Sequence, residues 1–269
     1  MKKSLWVEKA AAGGILSVMG LTVGATAGED VSYHAPPLEV PALEPEQYEA
    51  GRGLITLEGP SGLFINPTSA TLPENTFTLQ YCVFTPNNDG SVIGHGGLAA
   101  YGVTDWLEIG ATANYISLEG AGDLENAGPF ARVRLLKNDG WVPQVSVGAY
   151  SRFGDEARES VSAFAAAYVR CPVAENGIVK ALGFHAGIRN SWNDLADDLF
   201  AGYLGAELQL PYRLYLVGEV QTQDDEEEVP YSFGMQWRLG GINISVAGIQ
   251  NGNLEDPGFY FGIGTALNF

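Results

Sequence analysis

The sequence predicts an all-β protein: a transmembrane antiparallel β-barrel of about 12 strands, with a cleaved N-terminal signal peptide and a short periplasmic N-terminal segment. Three observations carry this. From Thr76 onward the chain divides into segments that alternate apolar and polar residues at period two, with no helical periodicity. The last of them, Gly258–Phe269, places Phe259, Phe261, Ile263, Thr265, Leu267 and Phe269 on one face and runs that face into an aromatic carboxy-terminus. The chain also opens with a basic, then apolar, leader.

Composition narrows the functional classes. The chain has 14 basic and 32 acidic residues and a formal charge of −18, which excludes a nucleic-acid partner that would need basic surface. Beyond the leader there is no apolar run long enough for a membrane-crossing helix, whereas barrel strands need none. Cys82 and Cys171 lack metal-ligand spacing and fall near opposite ends of non-adjacent strands, so they are not expected to pair.

The chain is expected to have four parts. Residues 1–27 form the signal peptide, with Lys2, Lys3 and Lys9, an apolar stretch and a small-x-small site at Ala25-Thr26-Ala27. Residues 28–52, with Pro36, Pro37, Pro41 and Pro45 among acidic residues, form a mobile periplasmic segment that cannot bury a core. Residues 53–75 are a Gly/Pro-rich lead-in that can fold into the barrel mouth or seal an edge. Residues 76–269 form the barrel.

Two resemblances add to this. The final strand resembles the C-terminal signature of bacterial outer-membrane barrels, in which a terminal Phe is read by the barrel-assembly machinery. The stretch Gly62, Leu63, Pro67, Thr68 and Ala70, just before a strand at Thr76, resembles the opening of barrels in the YjbH-like, exopolysaccharide-associated family. It departs from that family in length and in lacking a lipoprotein cysteine. The resemblance implies a link to surface polysaccharide, and the barrel implies outer-membrane lipid and lipopolysaccharide as surroundings.

The expected strands are Thr76–Thr85, His95–Val103, Trp106–Ser117, Pro129–Leu136, Trp141–Arg152, Ser160–Cys171, Ile178–Arg189, Leu199–Leu210, a ninth after Pro211-Tyr212-Arg213, a tenth around Tyr231–Leu239, Ile242–Gln250 and Gly258–Phe269. With the C-terminus in the periplasm, the connections 104–105, 137–140, 172–177, 211–213 and 240–241 become periplasmic turns. The opposite set is expected to be longer and more acidic, as outer loops are. Trp106, Trp141, Tyr212, Trp237 and Phe269 lie beside the short turns, as an interfacial girdle requires.

Known chemical motifs are missing. The sequence has no nucleophile elbow, phosphate loop or paired metal-ligand motif, and no cofactor or metal is expected. Asp224–Glu228 reads as a solvated acidic loop rather than a dedicated cation site. The polar faces supply the candidate pore-lining residues: Glu108, Arg132, Arg134, Gln144, Tyr168, Arg170, His185, Arg189, Glu207, Gln209, Glu219, Gln221, Gln236 and Arg238. Such a mixed set can line an aqueous channel or cross-pair to close it. The leading expectation is a small pore or conduit with no enzymatic activity. The alternatives are a plugged barrel acting through acidic outer loops, and a membrane hydrolase resting on His95 or His185.

Overall fold

In the computed structural model the period-two segments pair into one closed sheet. The structure describes residues 53–57, 59–85, 92–118, 122–154, 159–174, 177–193, 198–223, 229–250 and 257–269. The expected signal peptide, the acidic segment 28–52 and the run Asp224–Glu228 lie outside the described residues.

Two short strands, β1 (Ile55–Thr56) and β2 (Gly59–Ser61), form a small hairpin. The barrel follows as β3 (Thr76–Thr85), β4 (Val92–Thr104), β5 (Leu107–Leu118), β6 (Gly122–Leu136), β7 (Gln144–Gly154) and β8 (Ser160–Pro172). It continues with β9 (Ala181–Trp192), β10 (Leu199–Gln209), β11 (Leu214–Gln223), β12 (Tyr231–Arg238), β13 (Ile242–Gln250) and β14 (Gly258–Asn268). Each barrel strand pairs antiparallel with its sequence neighbours, and β14 closes onto β3 in a register that sets Phe261 opposite Val83. Closure leaves no free strand edge, a requirement in hydrocarbon, where unpaired amides have no water to bond. The chain end is tied down too: the Phe269 amide donates to the Asn75 carbonyl at 3.0 Å.

The alternation appears as expected. Leu79, Ile109, Val147, Phe184, Leu204, Phe233 and Ile263 all point away from the barrel and are exposed, while their neighbours in sequence point inward. A continuous outer belt of large apolar side chains is stable only against lipid. Trp106, Trp141, Tyr212, Trp237 and Phe269 are all exposed at the end that carries the C-terminus.

Several boundaries move. β6 begins at Gly122, not Pro129, because the polar stretch before the proline still pairs with β5, with Tyr115 opposite Glu125 and Ser117 opposite Asp123. The Asp123 carboxylate accepts from the Tyr115 and Ser117 hydroxyls at 2.7 and 3.0 Å. The ladder from β6 to β7 skips Gly128 and Pro129 without changing register, as expected where proline supplies no amide hydrogen. β7 and β9 begin later than expected, after Pro143 and at Ala181. The connections 137–143 and 173–180 are therefore as long as those at the opposite end, so the expected length contrast is weaker than the sequence implied.

The interior also corrects a simple picture of hydrophilic side chains within. Leu54, Ile55, Leu63, Phe64, Ile65 and Leu72 of the lead-in are almost fully buried, and all but Leu54 form one apolar cluster with inward side chains such as Phe130, Tyr150, Phe164, Tyr203, Tyr215 and Tyr260. Cys82 faces this interior, Cys171 sits on β8, and both thiols are free, as expected.

Candidate functional site: an occupied lumen

Residues 53–57 and 59–72 lie inside the barrel, bonded to its wall from near one rim to near the other. The segment enters beside Asn75, where the amide of Glu74 donates to Asp105 Oδ1 at 3.2 Å and the amide of Leu72 to Glu108 Oε2 at 2.7 Å. Deeper in, residues 62–67 fold back on themselves: Gly62 bridges Pro67, and the Leu63 amide donates to the Asn66 carbonyl at 3.0 Å. A Cβ at Gly62 would lie 2.1 Å from the Asn66 carbonyl oxygen, so this fold-back needs glycine. Its tip presents successive amides in one direction. Glu219 collects them, with Oε1 accepting from Phe64 and Ile65 at 2.7 and 2.6 Å, and Oε2 from the Asn66 amide and side chain at 3.2 Å each. Converging backbone amides of this kind form an anion cradle, filled here by a wall carboxylate. Ser232 donates to the same carboxylate at 2.9 Å.

The carbonyls of the segment are met by donors. Arg132 donates to the carbonyls of Ser61 and Thr68 at 2.9 and 3.0 Å and to that of Ala70. Gln236 donates to Leu63 at 2.9 Å, and Tyr203 to Pro67 and Gln144 to Ser69 at 2.7 Å. Ser146 also donates to Ser69, while Arg152 reaches Leu57 at 3.0 Å and Tyr260 reaches Ile55 at 2.6 Å. Wall glycines make room for the apolar side chains. A Cβ at Gly205 would fall 2.4 Å from Leu63 Cδ1, and one at Gly264 2.7 Å from Leu54 Cδ2.

All fourteen sequence-predicted lining residues project into the interior. Five of them, Glu108, Arg132, Gln144, Glu219 and Gln236, bond to the lead-in. A second group pairs with itself on the wall. Glu207 accepts from Tyr168 at 2.7 Å and from Arg238 at 2.8 Å, with His185 Nε2 3.6 Å away and the Tyr168 and His185 rings 4.5 Å apart. Arg238 stacks over Tyr215 at 4.0 Å and also donates to Gln236. Arg170 donates to Gln209 at 2.9 Å and Arg189 to Ser191 at 3.3 Å. Gln221 is buried on β11, and Arg134 is half-buried on β6.

No family model matches this sequence, and no curated protein matches it. Solved structures do. The chain is similar to a KdgM porin at 9% identity and a TM-score of 0.53, over 71% of this chain and 99% of the porin. It is also similar to an outer membrane channel from Pseudomonas putida F1 at 12% identity and a TM-score of 0.51, over 76% and 100% of the two chains. The likeness and the closed twelve-strand sheet show the architecture, and the apolar outer belt sets it in a membrane. The chain is an outer-membrane β-barrel.

Sequence reasoning missed several side chains that hold the segment in this barrel: Ser146, Arg152, Tyr203 and Tyr260. Their signal was present, since Arg152 and Ser146 share the parity of Gln144 on β7, and Tyr260 shares that of the small residues of β14. What the sequence did not show is that lead-in carbonyls would be their partners. His95, on which a membrane hydrolase would rest, points outward on β4. The Tyr81 hydroxyl lies 2.6 Å from its Nδ1, and its ring is 6.0 Å from that of Tyr115. The Ser117 hydroxyl on the same outer side is held by Asp123.

Proposed function

We propose that the protein is an outer-membrane conduit held closed at rest by its own segment 53–75. One observation carries this: a separate stretch of chain occupies the lumen, held to the inward side chains of the strands through hydrogen bonds and apolar contacts. Removing the segment would break no pairing of the barrel sheet. Each of its buried large side chains contributes about 2 kcal/mol, and the set on the order of 10 kcal/mol, so spontaneous withdrawal is rare and opening needs a trigger. Likeness to a porin and a channel supports a conduit.

Single-channel recording of refolded protein tests this. The full barrel should be nearly silent, and a variant lacking residues 28–72 should conduct steadily. Should that variant not fold, Leu63→Ser/Phe64→Ser/Ile65→Ser loosens the same segment within the complete chain. Silence of every loosened variant would remove the conduit reading. It would favour the second one, a permanently plugged barrel acting through its acidic surface loops, which the depth of the buried apolar cluster supports.

The finer reading places the conduit in export of a surface polysaccharide. It is supported by the YjbH-like resemblance, whose residues Gly62–Ala70 are the ones seated in the lumen. Loss of extracellular polysaccharide on deletion of the protein in its host is the expected result. On the same reading the outer belt contacts membrane lipid and lipopolysaccharide, and the strand ending in Phe269 engages the barrel-assembly machinery. No nucleic-acid partner or cofactor enters the proposal.

A further inference from the structure

The distribution of charge inside this acidic protein is uneven. Among the described residues, six of its 14 basic residues face the lumen: Arg132, Arg134, Arg152, Arg170, Arg189 and Arg238. Only three of its 32 acidic residues do so among the described strands, namely Glu108, Glu207 and Glu219. The described strands therefore turn an excess of three positive charges toward the lumen, within a chain whose formal charge is −18.

The polar contacts with the segment point the same way. Arg132, Gln144, Ser146, Arg152, Tyr203, Gln236 and Tyr260 all donate to carbonyl oxygens of the segment. Glu108 and Glu219 accept from it inside the lumen, and Asp105 accepts from it at the rim. The wall is built to meet negatively polarised oxygen, which the resting segment supplies as peptide carbonyls.

We infer that the lumen, once segment 53–75 is displaced, passes anions in preference to cations, and that its solute is an oxygen-rich anion. This rests on the conduit reading above. Arginines in a low-dielectric wall keep their field, whereas charges that act through water are screened beyond about 8 Å at physiological salt. Selectivity is thus set in the lumen. Solutes would exchange their hydration for the donors that the segment's carbonyls vacate.

The test is the reversal potential of the variant lacking residues 28–72 under a potassium chloride gradient, with the triple serine variant as a check should the deletion not fold. The expected value lies on the chloride side of zero. Arg134→Gln/Arg170→Gln in the same background should move it toward zero, since that pair removes two of the three excess charges without touching a segment contact seen here. A reversal potential at zero or on the potassium side, in a variant that conducts, overturns the inference and leaves the conduit standing. Variants that conduct no ions overturn both.

Discussion

Glu219 Oε1 lies 2.6 Å from the amide nitrogen of Ile65, a residue 154 positions earlier in the chain. That contact ties the middle of β11 to the tip of the fold-back in the lumen, and the Phe64 and Asn66 amides converge on the same carboxylate. A buried carboxylate is costly unless its oxygens are filled, and a run of buried amides is costly unless they find an acceptor. Here each satisfies the other, so the segment and the wall stabilise one another.

Glu219→Ala should therefore loosen the segment. It leaves the three amides without their acceptor, at about 1–3 kcal/mol for a buried unsatisfied group. Open probability in planar bilayers should rise tenfold or more. Glu219→Gln keeps one acceptor oxygen and should show a smaller rise.

Phe64→Ala should cost about 3–5 kcal/mol of segment stability, as aromatic truncations in packed cores do. Phe64 is fully buried and meets the Tyr260 ring edge-on at 5.6 Å. The expected readout is faster proteolysis within residues 53–75 while the barrel itself stays folded by heat-modifiable gel mobility. Equal loss of barrel and segment would show that the two do not separate.

Gly205→Val should act on the segment from the wall side. Its new side chain would enter the space of Leu63 Cδ1, 2.4 Å from an ideal Cβ. Overpacking of this kind typically costs about 1–3 kcal/mol. The variant should conduct more often than the parent, and adding Leu63→Ala should restore the quiet state in part.

Leu204→Arg tests the outer belt. Leu204 is 62% exposed and central in β10, where a charge facing hydrocarbon costs about 2–4 kcal/mol. Urea unfolding from lipid vesicles should report a loss of that order. A loss under about 0.5 kcal/mol, the usual effect of a substitution in water, would mean that this face does not meet lipid.

The barrel was legible because its signal is repeated and local. Parity along β14 alone separates Phe259, Ile263 and Leu267 from Tyr260, Gly262 and Gly264, and the same rule sorts every inward arginine. The segment was legible only as a possibility, since Gly62 and Pro67 mark turns without saying where the turns sit. Its partners lie far away in sequence, and most of its bonds use backbone atoms, which carry no residue-type signature. The polar hairpin end at Asp123 was hidden for a different reason: Pro129 reads as a strand start, although its missing amide interrupts only one of its two ladders.

The most direct measurement of the occupied lumen is hydrogen exchange at the Phe64, Ile65 and Asn66 amides in the refolded, unaltered protein. With Glu219 as their acceptor and the barrel around them, they should exchange as slowly as amides in the middle of β11. Exchange at the rate of an unstructured chain would contradict the account.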